Sequence, residues 1–166
     1  LEELKQHYLS VKPGYIRVDA DELTYPAHVM LRYELERDLI NQNIKVADIP
    51  ELWDKKMQQY LGLSTKGNYR DGCMQDVHWP AGLIGYFPSY SLGAMYAAQF
   101  HAALVKAKPD TPKAVAEGNY NEVFAWLQQN IWSQASIYDT DELVSRATGE
   151  TLNTRYFEQH LRQRYL

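Results

Sequence analysis

Apolar residues recur one helical turn apart along most of this chain, in stretches separated by proline and glycine. Leu31, Leu35 and Leu39 stand at i, i+4, with Tyr33, Ile40 and Ile44 widening the stripe. That spacing gathers apolar groups on one helical face and predicts a helix over residues 22–43. Thr24 as N-cap would put Pro26 at the second helical position, where a missing N–H removes no intrahelical bond. Asp48 and Pro50 repeat the device, opening a helix through Trp53, Met57, Tyr60 and Leu61 that Gly62 closes. Leu92, Tyr96, Phe100 and Leu104 predict a helix from Ser89 to Lys108, stopped by Pro109 and Pro112. Asn119 is the expected cap of a helix carrying Val123, Phe124, Trp126, Leu127 and Ile131. Asp139 should cap Glu142 to Ala147 ahead of Gly149, and a last helix covers about 153–165. Residues 63–71 read as a polar loop, Gly72 to Trp79 as the start of a short helix, and Ser10 to Asp19 as irregular. No stretch sustains the alternation of a half-buried strand. The expected fold is all-α, a multi-helix array forming one domain over residues 1–166.

Composition narrows the function classes. At 166 residues and 45% hydrophobic content the chain can bury a core of its own. Its 17 basic and 21 acidic residues give a net charge of −4, and no basic run could track a phosphate backbone, which argues against nucleic acid as a partner. No apolar run approaches the roughly 18 to 20 residues that span a bilayer, and the first residues lack a signal-peptide core, so no membrane association is expected. The single cysteine, Cys73, excludes an internal disulfide and fits a reducing compartment, so a cytoplasmic location is expected. His28 and His101 fall among apolar helical residues and are expected in the core. The five histidines, His7, His28, His78, His101 and His160, include no pair one turn apart, and one thiol cannot build a metal cage.

Three segments carry the polar chemistry: Ile16-Arg17-Val18-Asp19-Ala20-Asp21, Gly72-Cys73-Met74-Gln75-Asp76-Val77-His78-Trp79 and Gly85-Tyr86-Phe87-Pro88-Ser89-Tyr90. They resemble the I-R-x-x-A-D motif, the G-x-x-Q-D-x-H-W motif and the tyrosine segment after it in the zinc carboxypeptidases of the thermostable carboxypeptidase Taq family. The likeness extends through Asp21 to Tyr25, Leu31 to Glu36, Leu52-Trp53, Tyr96 to Phe100 and Arg146 to Glu150, in order along the chain. It implies an almost wholly helical peptidase with zinc at the bottom of a long cleft. In that family two histidines and a catalytic glutamate of an HExxH helix, with a further glutamate, hold and use the metal. No such motif occurs here. The resemblance therefore implies a C-terminal part of the enzyme, its zinc ligands outside this chain and no metal held within it; a first residue other than Met fits that expectation.

Removing a residue from a peptide C-terminus requires a polarised carbonyl, an activated water, donors for the developing oxyanion and a cation for the free carboxylate. The resemblance assigns the last two to this chain. Arg17 is the expected carboxylate clamp, since a guanidinium offers parallel N–H donors and keeps its charge; the competing reading is a structural ion pair with Asp19, Asp21 or Glu22. His78 is the expected oxyanion donor, against the reading of a packed structural histidine. Tyr86 and Tyr90 are both candidate phenol donors that spacing does not separate. Gln75 and Asp76 are expected to bind substrate or to pin the cleft wall. The implied substrates are peptides with a free C-terminus, and the whole enzyme is expected to be a homodimer. A helical interaction module without enzymatic activity is the alternative.

Overall fold

The computed structural model describes residues 2–166. Among them the regular structure is helical throughout: α1 (Glu2–Leu9), α2 (Tyr25–Ile40), α3 (Ile49–Leu61), α4 (Pro88–Ala107), α5 (Thr111–Ala116), α6 (Asn121–Asn130), α7 (Thr140–Thr148) and α8 (Arg155–Tyr165), with short 3-10 turns at Arg17–Asp19, Val46–Asp48 and Trp132–Gln134. The chain divides into two compact units, Leu1–Ser91 and Leu92–Leu166. No helix among the described residues is long and apolar enough to cross a membrane.

In the first unit α2 starts where the proline placed it, with Thr24 as N-cap and Pro26 in the first turn. It stops at Ile40, short of the expected 43, because Gln42 adopts a left-handed backbone, φ 58°, that cannot continue a right-handed helix. Helix α3 ends at Gly62, whose φ of 70° lets its N–H and that of Leu63 turn back to the carbonyls of Gln58 and Met57. Leu31 and Leu35 of α2 pack against Trp53, Met57 and Leu61 of α3, flanked by Cys73 and Trp79. Each fully buried aliphatic side chain contributes about 1.5–3 kcal/mol relative to exposure. Helix α1 buries no residue.

Gly72 to Trp79 is a run of turns rather than the short helix expected. Its polar side chains supply the reason. The Gln75 Nε2 donates to the carbonyls of Asp71 at 2.7 Å and Gly72 at 3.2 Å, local bonds that compete with an intrahelical ladder.

In the second unit Gln99 of α4 is wholly buried and acts as a buckle. Its Nε2 donates to Thr148 Oγ1 and to the carbonyls of Glu150 and Thr151, while its Oε1 accepts from the Asn153 N–H at 2.8 Å. Asp139 caps α7 as expected, accepting from the Glu142 N–H at 2.8 Å, and Gly149 ends it at φ 93°. Pro112 does more than stop α4, since it sits in the first turn of α5. His101 is exposed rather than core; it lines an apolar cavity of about 530 Å³ with Phe100, Leu104, Val115, Trp126 and Leu127.

Candidate functional site

The three polar segments meet in the first unit around one carboxylate. Asp76 Oδ1 accepts from Arg17 Nε at 3.0 Å, and its Oδ2 accepts from Arg32 Nε at 2.6 Å. All three side chains are nearly closed to solvent, at 11% exposure for Asp76, 7% for Arg17 and 0% for Arg32. A buried charge of this kind persists only with a partner, and two guanidiniums around one carboxylate leave a net positive centre. Of Arg17's other nitrogens, Nη1 donates to the Tyr25 hydroxyl at 2.7 Å, and the backbone N–H donates to Gln75 Oε1 at 2.9 Å. The Nη2 group makes no hydrogen bond to a described residue. Burial opposes the Arg17 charge, but the bonds and charge of Asp76 and Tyr25 outweigh it and hold the guanidinium above its ordinary value.

Each position has a local cause. Asp21 fixes the turn ahead of α2 by accepting the N–H groups of Lys12, Leu23 and Thr24, which outweigh its burial and keep it below the usual carboxylate range. This makes Asp21 an orienter of backbone. Gln75 ties the two motifs together, since its Nε2 also donates to the Tyr15 carbonyl at 3.0 Å while its Oε1 holds the Arg17 N–H. Gly72 is required by space: a Cβ there would lie 2.7 Å from the Asn68 carbonyl oxygen and 3.2 Å from Thr65 Cβ.

His78 is 6% exposed, its ring centroid 4.4 Å from that of Phe87. Its Nε2 lies 2.8 Å from the Tyr90 hydroxyl, whereas its Nδ1 stands 3.7 Å from Asp76 Oδ1, too far for a hydrogen bond, and has no other partner among the described residues. Burial first, and then the Arg17 and Arg32 charges, push His78 below the usual histidine value against the opposing pull of Asp76 and Glu36. The ring is therefore neutral at neutral pH. Tyr86 is 44% exposed and packs edge-on against Tyr90 at 5.4 Å between centroids, and makes no hydrogen bond to His78. Tyr90 also lies under the Arg17 guanidinium at 4.9 Å.

Four residues that the sequence reading left out complete the cluster: Tyr25, His28, Arg32 and Glu36. The last three are spaced i, i+4 on α2, directly beside the Leu31–Leu35 stripe, and all are buried. Arg32 lies over the Trp53 ring at 4.5 Å and donates through Nη1 to the His28 carbonyl at 2.8 Å; burial lowers it to about 10 against the pull of Asp76. Glu36 accepts from Trp79 Nε1 at 2.8 Å and from the Gly85 N–H at 2.6 Å, so one carboxylate fixes the ends of both site loops. The available signal was a second stripe on α2, polar but in register with the core.

Among the described residues no group of three or more His, Cys, Asp and Glu side chains is gathered to hold a metal ion. The acidic groups near His78 are already taken, Asp76 by two arginines and Glu36 by two N–H donors. This donor set does not fit a metal.

The family model for Carboxypeptidase Taq (M32) metallopeptidase matches residues 1–165. Thermostable carboxypeptidase 1 of Pyrococcus furiosus is 37% identical over 165 residues, which cover 99% of this chain and 33% of that protein. Carboxypeptidase 1 of Bacillus subtilis is 40% identical over 154 residues, 93% of this chain and 30% of its own length. Among solved structures, metallocarboxypeptidase 1 of Trypanosoma cruzi superposes with a TM-score of 0.95 at 47% identity, covering 99% of this chain and 34% of that one. The chain thus spans about a third of the length of the relatives it matches. With the all-helical fold and the two motifs joined around Asp76, these matches establish that the chain belongs to the carboxypeptidase Taq (M32) metallopeptidase family.

Proposed function

We propose that this chain is the C-terminal helical part of a zinc-dependent carboxypeptidase that releases amino acids one at a time from peptides with a free C-terminus. The zinc ligands would lie outside this sequence, and the whole enzyme would act as a cytoplasmic homodimer. The observation that carries the reading is the convergence of Arg17, Asp76, His78 and Tyr90 from separate segments into one connected polar cluster. An interaction scaffold has no need of such donors. Arg17 keeps its charge and its Nη2 hydrogens for the substrate carboxylate. Asp76 and Gln75 act behind it, holding its Nε and its backbone. His78 and Tyr90 together form the donor for an oxygen that gains charge in the tetrahedral intermediate, an interaction that strengthens as the reaction proceeds. Tyr86, exposed beside them, is a further phenol within reach of a bound peptide.

The test uses the longer protein to which the chain belongs. Arg17→Ala should lower kcat/KM on peptides with a free C-terminus far more than on the same peptides amidated, by about a hundredfold for loss of a charged contact. Equal losses on both would overturn the clamp. Absence of any carboxypeptidase activity in the metal-loaded protein would favour the interaction module.

A further inference from the structure

The Asp76 carboxylate stands close to His78 Nδ1 and yet does not bond it. Its Oδ1 stands 3.7 Å away because that oxygen serves Arg17 Nε at 3.0 Å, while Oδ2 is drawn the other way by Arg32 at 2.6 Å. Arg32 cannot follow a moving carboxylate. It has no exposed surface, its guanidinium is held over Trp53, and its Nη1 is tied to the His28 carbonyl. We propose that Arg32 is a positioning residue: by fixing Asp76 it keeps that carboxylate off His78 Nδ1, so that the histidine carries its proton on Nε2 and leaves the Tyr90 proton for the substrate.

The consequence follows from hydrogen-bond bookkeeping at one pair of atoms. Nε2 and the Tyr90 oxygen are 2.8 Å apart and share one proton between them. If Nδ1 bore the ring proton and donated to Asp76, Nε2 would be an acceptor and would consume the Tyr90 O–H. If Nε2 bears it, the ring donates to the Tyr90 oxygen and the phenol's own proton points elsewhere. Only the second arrangement makes Tyr90 a donor toward a developing oxyanion. A carboxylate hydrogen-bonded to the other ring nitrogen is the usual device for fixing the first arrangement; here two arginines prevent it. The groups that face His78 are Asp76 on its own loop, Arg17 on the 3-10 turn, Arg32 and Glu36 on α2, and Tyr86, Phe87 and Tyr90 from the segment entering α4. Arg17 and Arg32 both oppose protonation of the ring, in accord with its depressed value. The role of Arg32 in catalysis rests on the carboxypeptidase reading; its role in the tautomer does not.

The experiment is nitrogen-15 NMR of the histidine rings in the longer protein, with His78 assigned by its loss in His78→Gln, followed over pH 5–8 in wild type, Arg32→Met and Arg32→Lys. In wild type the neutral His78 ring should carry its proton on Nε2. In Arg32→Met the proton should move to Nδ1 and the titration midpoint should rise by about one pH unit, the size expected when a carboxylate gains contact and a cation leaves. Arg32→Lys keeps the charge and should return both readings toward wild type. A wild-type ring protonated on Nδ1 would overturn the proposal, as would a folded Arg32→Met with tautomer and midpoint unchanged. If Arg32→Met does not fold, the wild-type tautomer decides alone. A protein that shows these shifts but hydrolyses no peptide would leave the tautomer assignment standing and remove the carboxypeptidase reading.

Discussion

The Nε2 of His78 and the hydroxyl of Tyr90 stand 2.8 Å apart, whereas Tyr86 meets the same ring only as a tilted aromatic contact, with centroids separated by 5.8 Å. The two tyrosines that spacing left equivalent are therefore not equivalent in the fold. Tyr90→Phe should lower kcat by about a hundredfold, the usual loss for one oxyanion donor, with little change in KM. Tyr86→Phe should cost less. Steady-state kinetics on one peptide with both variants checks the order, and a larger loss for Tyr86→Phe would reverse the assignment.

Gly72 opens the G-x-x-Q-D-x-H-W segment because nothing larger fits. A methyl group there would press on the Asn68 carbonyl at 2.7 Å, which is backbone and cannot swing away. Gly72→Ala should destabilise by about 1–3 kcal/mol through overpacking. Urea unfolding followed by circular dichroism would read this as a lowered midpoint with an unchanged slope.

His28 couples stability to pH. Both its ring nitrogens are buried, and burial, then the Arg32 charge, lower it from 6.5 to about 4 against the opposing pull of the Gly14 backbone. Between those values the unfolded chain binds the proton that the folded chain refuses, so stability rises with pH across this window. The contribution is complete above about pH 6.5 and is lost progressively as pH falls to about 4. Its full size is about 3 kcal/mol. Comparing urea midpoints at pH 7 and pH 4.5, His28→Gln should show a smaller fall than wild type.

Glu36 holds the Trp79 indole and the Gly85 N–H with one buried carboxylate. Trp79→Phe removes one donor and leaves that oxygen unsatisfied, for a loss of about 1–3 kcal/mol. Thermal unfolding should register it as a lower Tm, and the loss should exceed that of an apolar substitution at exposed Val77.

The helical plan was legible because its signals are local. Pro26, Pro50, Gly62, and Asp139 with Gly149 mark helix ends through local geometry, whereas Thr24 and Asp48 stand at the N-cap positions without a side-chain cap bond. Arg17, Gln75, Asp76, His78 and Tyr90 were legible as a set through their motifs, and the fold brings them together. The connections were not legible. Asp76 meets Arg32 across 44 residues of chain, and Trp79 meets Glu36 across 43, pairings that depend on how α2 packs under the two loops. Spacing gave Arg32 and Glu36 no role, because periodicity does not distinguish a polar stripe facing water from one facing a buried partner. The run of turns at Gly72 to Trp79 was missed for a related reason: the Gln75 amide spends its hydrogen bonds on backbone carbonyls, and sequence alone does not reveal that choice.

The most direct measurement is hydrolysis of a peptide by the metal-loaded, full-length gene product that contains this chain, with the free and the amidated C-terminus compared and a chelator as control. Stepwise release of C-terminal amino acids, greatly slowed by amidation, abolished by chelation and reduced by Arg17→Ala far more on the free peptide than on the amidated one, is the expected result. A well-folded, metal-loaded protein that leaves both peptides intact, or cuts them equally, would contradict the account.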